Sequence, residues 1–131
     1  MENCLFCKIV KKELPSYKIW ENENFLAFLD INPINPGHTI LVPKKHVDYI
    51  FDLEEPLYSE MFKIVKQLSK VLKQAIGSKK IGLIIEGFAV PHAHIHLIPI
   101  NRGNELNPSR AKKGDPKQLL KIAENIISYC S

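Results

Sequence analysis

The chain has 131 residues, of which 45% are hydrophobic and 24% charged, and a formal net charge of +4. That length suits a single domain, residues 1–131, with a core of its own, and no run of 18 apolar residues offers a membrane span. Three cysteines are too few, and odd in number, for a disulfide framework; the mild charge lacks the interleaved aromatics of a nucleic-acid surface, though it suits a small anionic substrate.

Met1-Glu2-Asn3-Cys4 carries no basic-then-apolar signal segment, so a cytoplasmic protein is expected. Leu5 to Lys12 reads as a short helix. Tyr17–Glu21 and Phe25–Asp30 read as paired strands joined by turn residues. Asn32 to Gly37 holds two prolines and a glycine and reads as a stiff connection. Gly37 to Pro43 is the next strand, with His38, Ile40 and Val42 sharing one face.

Glu54 to Ile76 reads as the long helix. Leu57, Met61, Ile64, Leu68, Val71, Leu72 and Ile76 recur at helical spacing, and the stripe reads as core rather than as a cofactor site. Asp52 is a candidate N-cap, Pro56 suits the first turn and Gly77 the C-terminal stop. Lys63, Lys66, Lys70 and Lys73 read as its solvated face. Ile81–Glu86 reads as a buried strand. Asn101–Gly114 is polar and is expected to be flexible. Asp115-Pro116 caps a terminal amphipathic helix through Leu119, Leu120, Ala123, Ile126 and Ile127, so 101–131 forms a C-terminal extension. Strands joined by tight turns plus one long helix predict an α+β fold, an antiparallel sheet with helices on one face.

The most informative segment is Pro91-His92-Ala93-His94-Ile95-His96-Leu97-Ile98-Pro99. At strand period His92, His94 and His96 face one way and Ala93, Ile95 and Leu97 the other. One face is core. The other is a row of imidazoles that titrate near neutral pH. Metal chelation by all three would need a bent strand, because neighbours two apart are separated by about 6.6 Å and the outer pair by about 13 Å. The alternative is nucleophilic catalysis: a neutral imidazole attacks phosphorus, and its neighbours hold its tautomer and donate to the phosphoryl oxygens.

The pattern His-φ-His-φ-His-φ-φ, with φ apolar, together with Asp30-Ile31-Asn32-Pro33 and the upstream His38, resembles the histidine-triad superfamily of nucleotidyl hydrolases and transferases. The resemblance runs from about Cys4 to Pro99. It implies a five-stranded antiparallel sheet that continues across a homodimer as ten strands. It implies that His94 is the nucleophile, forming a nucleotidyl-histidine. His96 would contact phosphate on the leaving-group side, and His38 would support the network. Asp30 would bond the ribose hydroxyls, and Ile31 would line the base pocket of a purine nucleotide. Phe6 and Phe28 are apolar candidates for the same pocket, although ordinary core suits both. The plain alternatives are a satisfied strand histidine at His38 and a turn-forming aspartate at Asp30.

Cys4-Leu5-Phe6-Cys7 is a Cys-x-x-Cys pair: two free thiols, a redox pair or half of a zinc site. It lacks the strand-then-helix setting of a redox motif. Zinc would need two more ligands. The zinc-containing members of the superfamily resemble this chain in pairing such a motif with a downstream histidine and the first active-site histidine. That resemblance implies a structural zinc on Cys4, Cys7, His46 and His92. Cys130 reads as a free thiol at a frayed end.

One stretch departs from the family pattern. Gly87-Phe88-Ala89-Val90-Pro91 has Phe88 and Ala89 where many members place Gln and Ser or Thr on the phosphate. Backbone N–H groups of Gly87–Ala89, Arg102 or the basic 110–113 stretch could supply the lost donors. The leading expectation is a nucleoside phosphoramidase. A dinucleoside polyphosphate hydrolase and a nucleotide-binding regulatory module remain open.

Overall fold

The computed structural model describes residues 3–130. Five antiparallel strands run β1 (Lys18–Glu21), β2 (Phe25–Leu29), β3 (Thr39–Pro43), β4 (Lys80–Ile84) and β5 (Ile95–Ile100), in the spatial order β1-β2-β3-β5-β4. Three α-helices accompany them: α1 (Leu5–Val10), α2 (Leu57–Ile76) and α3 (Pro116–Ile127). The α+β class and the antiparallel sheet stand as expected.

Strand period sorts the side chains into two clusters. Phe25, Ala27, Leu29, Leu41, Ile95 and Leu97 face α2 and α3, meeting Met61, Ile64, Leu68, Leu72, Leu119 and Ile126. Each such side chain, wholly removed from water, contributes about 1.5–3 kcal/mol. Leu26, Phe28, Ile40 and Val42 face the other way, onto Cys4, Phe6 and Cys7 of the α1 segment. The helices therefore do not share one face. The short N-terminal helix covers the side on which the histidines lie, because its apolar residues have no other sheet surface to bury against.

Other expectations also change. Asp52 is not the cap of α2; it lies in a separate 3₁₀ turn, Ile50–Asp52, and Pro56 occupies the cap position with no side-chain bond. The first turn is served by Glu55, whose carboxylate accepts from the Ser59 N–H at 2.8 Å and the Ser59 hydroxyl at 2.6 Å. Gly77 does close the helix in the left-handed conformation, φ 77°. Asp115 caps α3, accepting from the Gln118 N–H at 3.2 Å.

The strand read as buried, β4, is the sheet edge: it pairs with β5 alone and leaves Leu83 and Ile85 exposed. Gly82 on this strand admits the Leu106 side chain, which a Cβ would meet at 2.6 Å. Leu106 belongs to the 101–114 arm, which is pinned rather than loose. Glu105 in that arm is buried and accepts from the N–H groups of Asn101 (2.6 Å) and Arg102 (3.0 Å). Cys130 is half-buried rather than frayed: its N–H bonds the Ile127 carbonyl at 3.0 Å, and the residue packs on the helix-side core. No helix among the described residues is long and apolar enough to cross a membrane.

Candidate active site

Alternation along residues 92–97 holds: Ala93, Ile95 and Leu97 enter the helix-side core. The regular strand starts later than expected, at Ile95. Pairing with β3 ends at Leu41↔Ile95, and the Ala93 N–H turns instead to the Val47 carbonyl at 2.6 Å. His92 and His94 thus lie in the extended lead-in to β5. The three histidines do not act as one group. His92 joins the cysteines, while His94 and His96 face a cavity.

In the cysteine cluster, one donor atom from each of Cys4, Cys7, His46 and His92 lies within 4.8 Å of the others. His92 Nδ1 is 3.4 Å from Cys4 Sγ and 3.5 Å from Cys7 Sγ; His46 Nδ1 is 3.1 Å from Cys7 Sγ and 3.2 Å from His92 Nδ1. Ordinary zinc bond lengths in a tetrahedron require about 3.5 Å between S and N and about 3.3 Å between two nitrogens. The four residues fit one such ion. A metal ligand must present a lone pair, and His92 does. Its Nε2–H donates to the Pro43 carbonyl at 2.8 Å, so Nδ1 is the unprotonated nitrogen, and burial holds the imidazole below its ordinary pKa.

His94 carries the opposite tautomer. Its Nδ1 lies 2.6 Å from the His92 carbonyl, which can only accept, so Nδ1 bears the proton and Nε2 keeps its lone pair. Burial holds this imidazole below the usual histidine value, overriding the carbonyl bond and the Asp30 charge, which both favour protonation. Its ring lies edge-on to Phe6, centroids 4.9 Å apart, and 4.9 Å from His96.

His38 and His96 are linked by a 2.9 Å contact between His38 Nε2 and His96 Nδ1. The Ile34 N–H donates to His38 Nδ1 at 3.0 Å, so His38 carries its proton on Nε2. His38 then donates to His96 Nδ1, which leaves His96 with its N–H on Nε2. Asp30 Oδ2 stands 3.5 Å from His38 Nε2. Asp30, His38 and His96 also bring ligand atoms within 4.8 Å of one another, but this trio is a hydrogen-bond relay. The His38 Nε2–H proton occupies its 2.9 Å N···N contact.

Burial drives the pKa of both His38 and His96 down to about 4. Neutral imidazoles in the fold replace groups that titrate near 6.5 in the open chain. Between these values the unfolded chain binds more protons, so stability falls as pH falls from 6.5 toward 4. Each histidine can cost up to about 3 kcal/mol once pH lies below both values. Denaturant midpoints at pH 7 and 4.5 should therefore fall less steeply in His38→Asn than in the unmodified chain. Parallel slopes would contradict the neutral pair.

Two adjoining hollows meet at His94 and His96. One, of about 460 Å³, is lined by Leu5, Phe6, Ile9, Phe28, Asp30 and Ile31 among others. Phe6 and Phe28 are both core residues and cavity wall. The second, of about 210 Å³, lies between Asp30, His38, Glu86, Gly87, Phe88, Ala89 and Pro108. The Phe88 side chain is 88% exposed and brings no polar atom to it. Arg110 does not supply charge there: its guanidinium donates to the Glu105 carbonyl at 2.8 Å and to Asn35 Oδ1 at 3.0 Å. Burial raises the Asp30 pKa, and the carboxylate accepts from the Asn32 N–H at 2.8 Å. Sequence reading gave Asn35 and Glu105 no role and offered Arg110, within the 110–113 stretch, only as a phosphate donor. Their partners lie 70 and 75 residues apart, and nothing in a short polar stretch signals such a pairing.

The HIT domain model matches residues 11–103. An uncharacterised HIT-like protein of Borreliella burgdorferi is 39% identical over 122 residues, covering 82% of this chain and 88% of that protein. An adenosine 5'-monophosphoramidase of Candida albicans is 36% identical over 109 residues, 74% of this chain and 70% of that protein. A zinc-bound histidine triad family protein from Mycobacterium smegmatis has the same fold, with a TM-score of 0.83 and 25% identity over 98% of this chain and 93% of that one. With the family model spanning most of its length and these relatives aligned along it, this chain belongs to the HIT family.

Proposed function

We propose that this HIT-family hydrolase cleaves the P–N bond at the α-phosphate of a purine nucleoside phosphoramidate and releases the nucleoside monophosphate. One observation carries the reading. The His94 Nδ1–H bond to the His92 carbonyl, at 2.6 Å, leaves the Nε2 lone pair for the cavity. Low basicity from burial keeps that nitrogen unprotonated at neutral pH.

The base and ribose occupy the larger hollow. Ile31, Phe6 and Phe28 flank the base, and Asp30 accepts from the ribose hydroxyls. Nε2 of His94 attacks the α-phosphorus as the P–N bond breaks, and the nitrogen leaves as the amine with a proton taken from solvent, which the second step returns. Water then attacks phosphorus, the P–Nε2 bond breaks, and His94 returns neutral. Across both steps one water is consumed, its hydroxyl going to phosphorus and a proton to the amine. The His96 Nε2–H donates to the phosphoryl oxygens. It is a side-chain donor at a site where Phe88 and Ala89 offer none.

A zinc on Cys4, Cys7, His46 and His92 would fix the start of the catalytic strand and take no part in the chemistry. A cytoplasmic setting would keep Cys4 and Cys7 reduced for it. Residues 1–131 act as one domain, and a second copy would pair along the open β4 edge, covering Leu83 and Ile85 and extending the sheet to ten strands.

The test is AMP release from adenosine phosphoramidate by the native protein, followed by chromatography. Release supports the reading. Release from diadenosine polyphosphates alone would move the substrate class, and release from neither would leave the nucleotide-binding module.

A further inference from the structure

The relay from His38 to His96 depends on one backbone group, the Ile34 N–H, which holds His38 Nδ1 unprotonated. Ile34 lies in the loop 31–36, and the 101–114 arm grips that loop at three points. The Gly114 N–H donates to the Ile31 carbonyl at 2.7 Å, and the Lys112 N–H to the Pro33 carbonyl at 3.3 Å. The third point is Asn35, whose amide is satisfied on both sides. Its Nδ2 donates to the Pro99 carbonyl at 2.8 Å and to Glu105 Oε2 at 3.2 Å. Its Oδ1 accepts from Arg110 Nη2 at 3.0 Å.

Glu105 is itself held. It is buried, its Oε1 accepts two backbone N–H groups, and its Oε2 stands 3.8 Å from Arg110 Nη2. The residue after Ile34 is thus clamped to the end of β5, the strand that carries His96. The Asn35 carbonyl also accepts from the His38 N–H at 3.1 Å.

We infer that Asn35, Glu105 and Arg110 are positioning residues that fix the tautomer of His38 and so keep the His96 Nε2–H directed at the phosphoryl group. The inference rests on the assignment of His96 as phosphate donor. With a loosened loop, the Ile34 N–H no longer meets Nδ1, and the His38 proton is free to move there. His96 can then place its own proton on Nδ1, facing His38, and present a lone pair to the phosphoryl oxygens. Two acceptors facing each other repel, and transition-state stabilisation is lost while the nucleoside pocket stays in place.

The experiment compares the unmodified chain with Arg110→Ala and Glu105→Gln by two readouts. The first is steady-state AMP release from adenosine phosphoramidate. The second is the ¹⁵N spectrum of the imidazole nitrogens, which separates protonated from unprotonated nitrogen without any substrate. The expected result is a kcat lower by about tenfold with KM changed less than about threefold, since the donor acts on the transition state. The His38 Nδ1 resonance should shift from the unprotonated position toward an average of two tautomers. Arg110→Lys, which keeps a cationic donor near Asn35 and Glu105, should recover part of both effects and serves if Arg110→Ala fails to fold. Unchanged His38 resonances, even with a lowered melting temperature, would overturn the inference and make the clamp purely structural. If the native protein releases no AMP at all, the proposed reaction fails, and the ¹⁵N comparison still decides the positioning role.

Discussion

His94→Ala is expected to lower AMP release from adenosine phosphoramidate by at least about 10⁴-fold while the melting temperature moves by only a few degrees. Without Nε2 no covalent intermediate forms, and water must attack the substrate directly. The structural loss is small. The variant gives up one hydrogen bond to the His92 carbonyl, worth about 1 kcal/mol, and the edge contact with Phe6. The space left opens into a cavity that water can enter, so no sealed void forms. Rapid quenching of the native protein during turnover should capture a nucleotide on His94. Turnover retained within tenfold in the variant would remove the nucleophile assignment.

Protein purified under reducing conditions should hold about one zinc per chain, and Cys7→Ser or a strong chelator should lower its melting temperature by more than about 10 °C. Helix α1 has six residues, far too few to persist alone. It is held by Phe6 on Phe28 and by the thiols facing His46 and His92. Removing the ion leaves two thiols and two imidazoles crowded within 4.8 Å with nothing between them to coordinate. The effect should reach the chemistry, because Phe6 lies against His94 and lines the larger hollow. Stripping zinc should therefore lower kcat as well as stability. A metal-free protein with an unchanged melting temperature would exclude a structural ion at these residues.

Much of the architecture follows from local chemistry and could be read directly. Period two along 92–97, the apolar stripe of α2, Gly77 as a left-handed stop and Asp115-Pro116 as a cap are properties of neighbouring residues. The Cys4-x-x-Cys7 pair by itself offered half of a zinc site, and the resemblance to zinc-containing members of the superfamily supplied His46 and His92 as the other ligands. The errors lie where distant segments meet. β4 read as buried because its residues are apolar, but apolarity cannot distinguish an edge strand from an inner one. Asp52 read as a cap by proximity, while the chain formed a separate 3₁₀ turn and left Glu55 to serve the helix.

The sequence by itself determined the chemistry available: five imidazoles, a Cys-x-x-Cys pair, one acid after a strand and no polar side chain at residues 88 and 89. Only the tertiary structure decided which nitrogen of His38, His92, His94 and His96 bears the proton. That choice depends on whether a carbonyl or an N–H faces the ring, and only the folded backbone brings either one there. The Pro43 carbonyl fixes His92, and the Ile34 N–H fixes His38. The Asn35–Glu105–Arg110 clamp was invisible for the same reason, since hydrogen bonds between residues 70 or more positions apart leave no trace in local spacing.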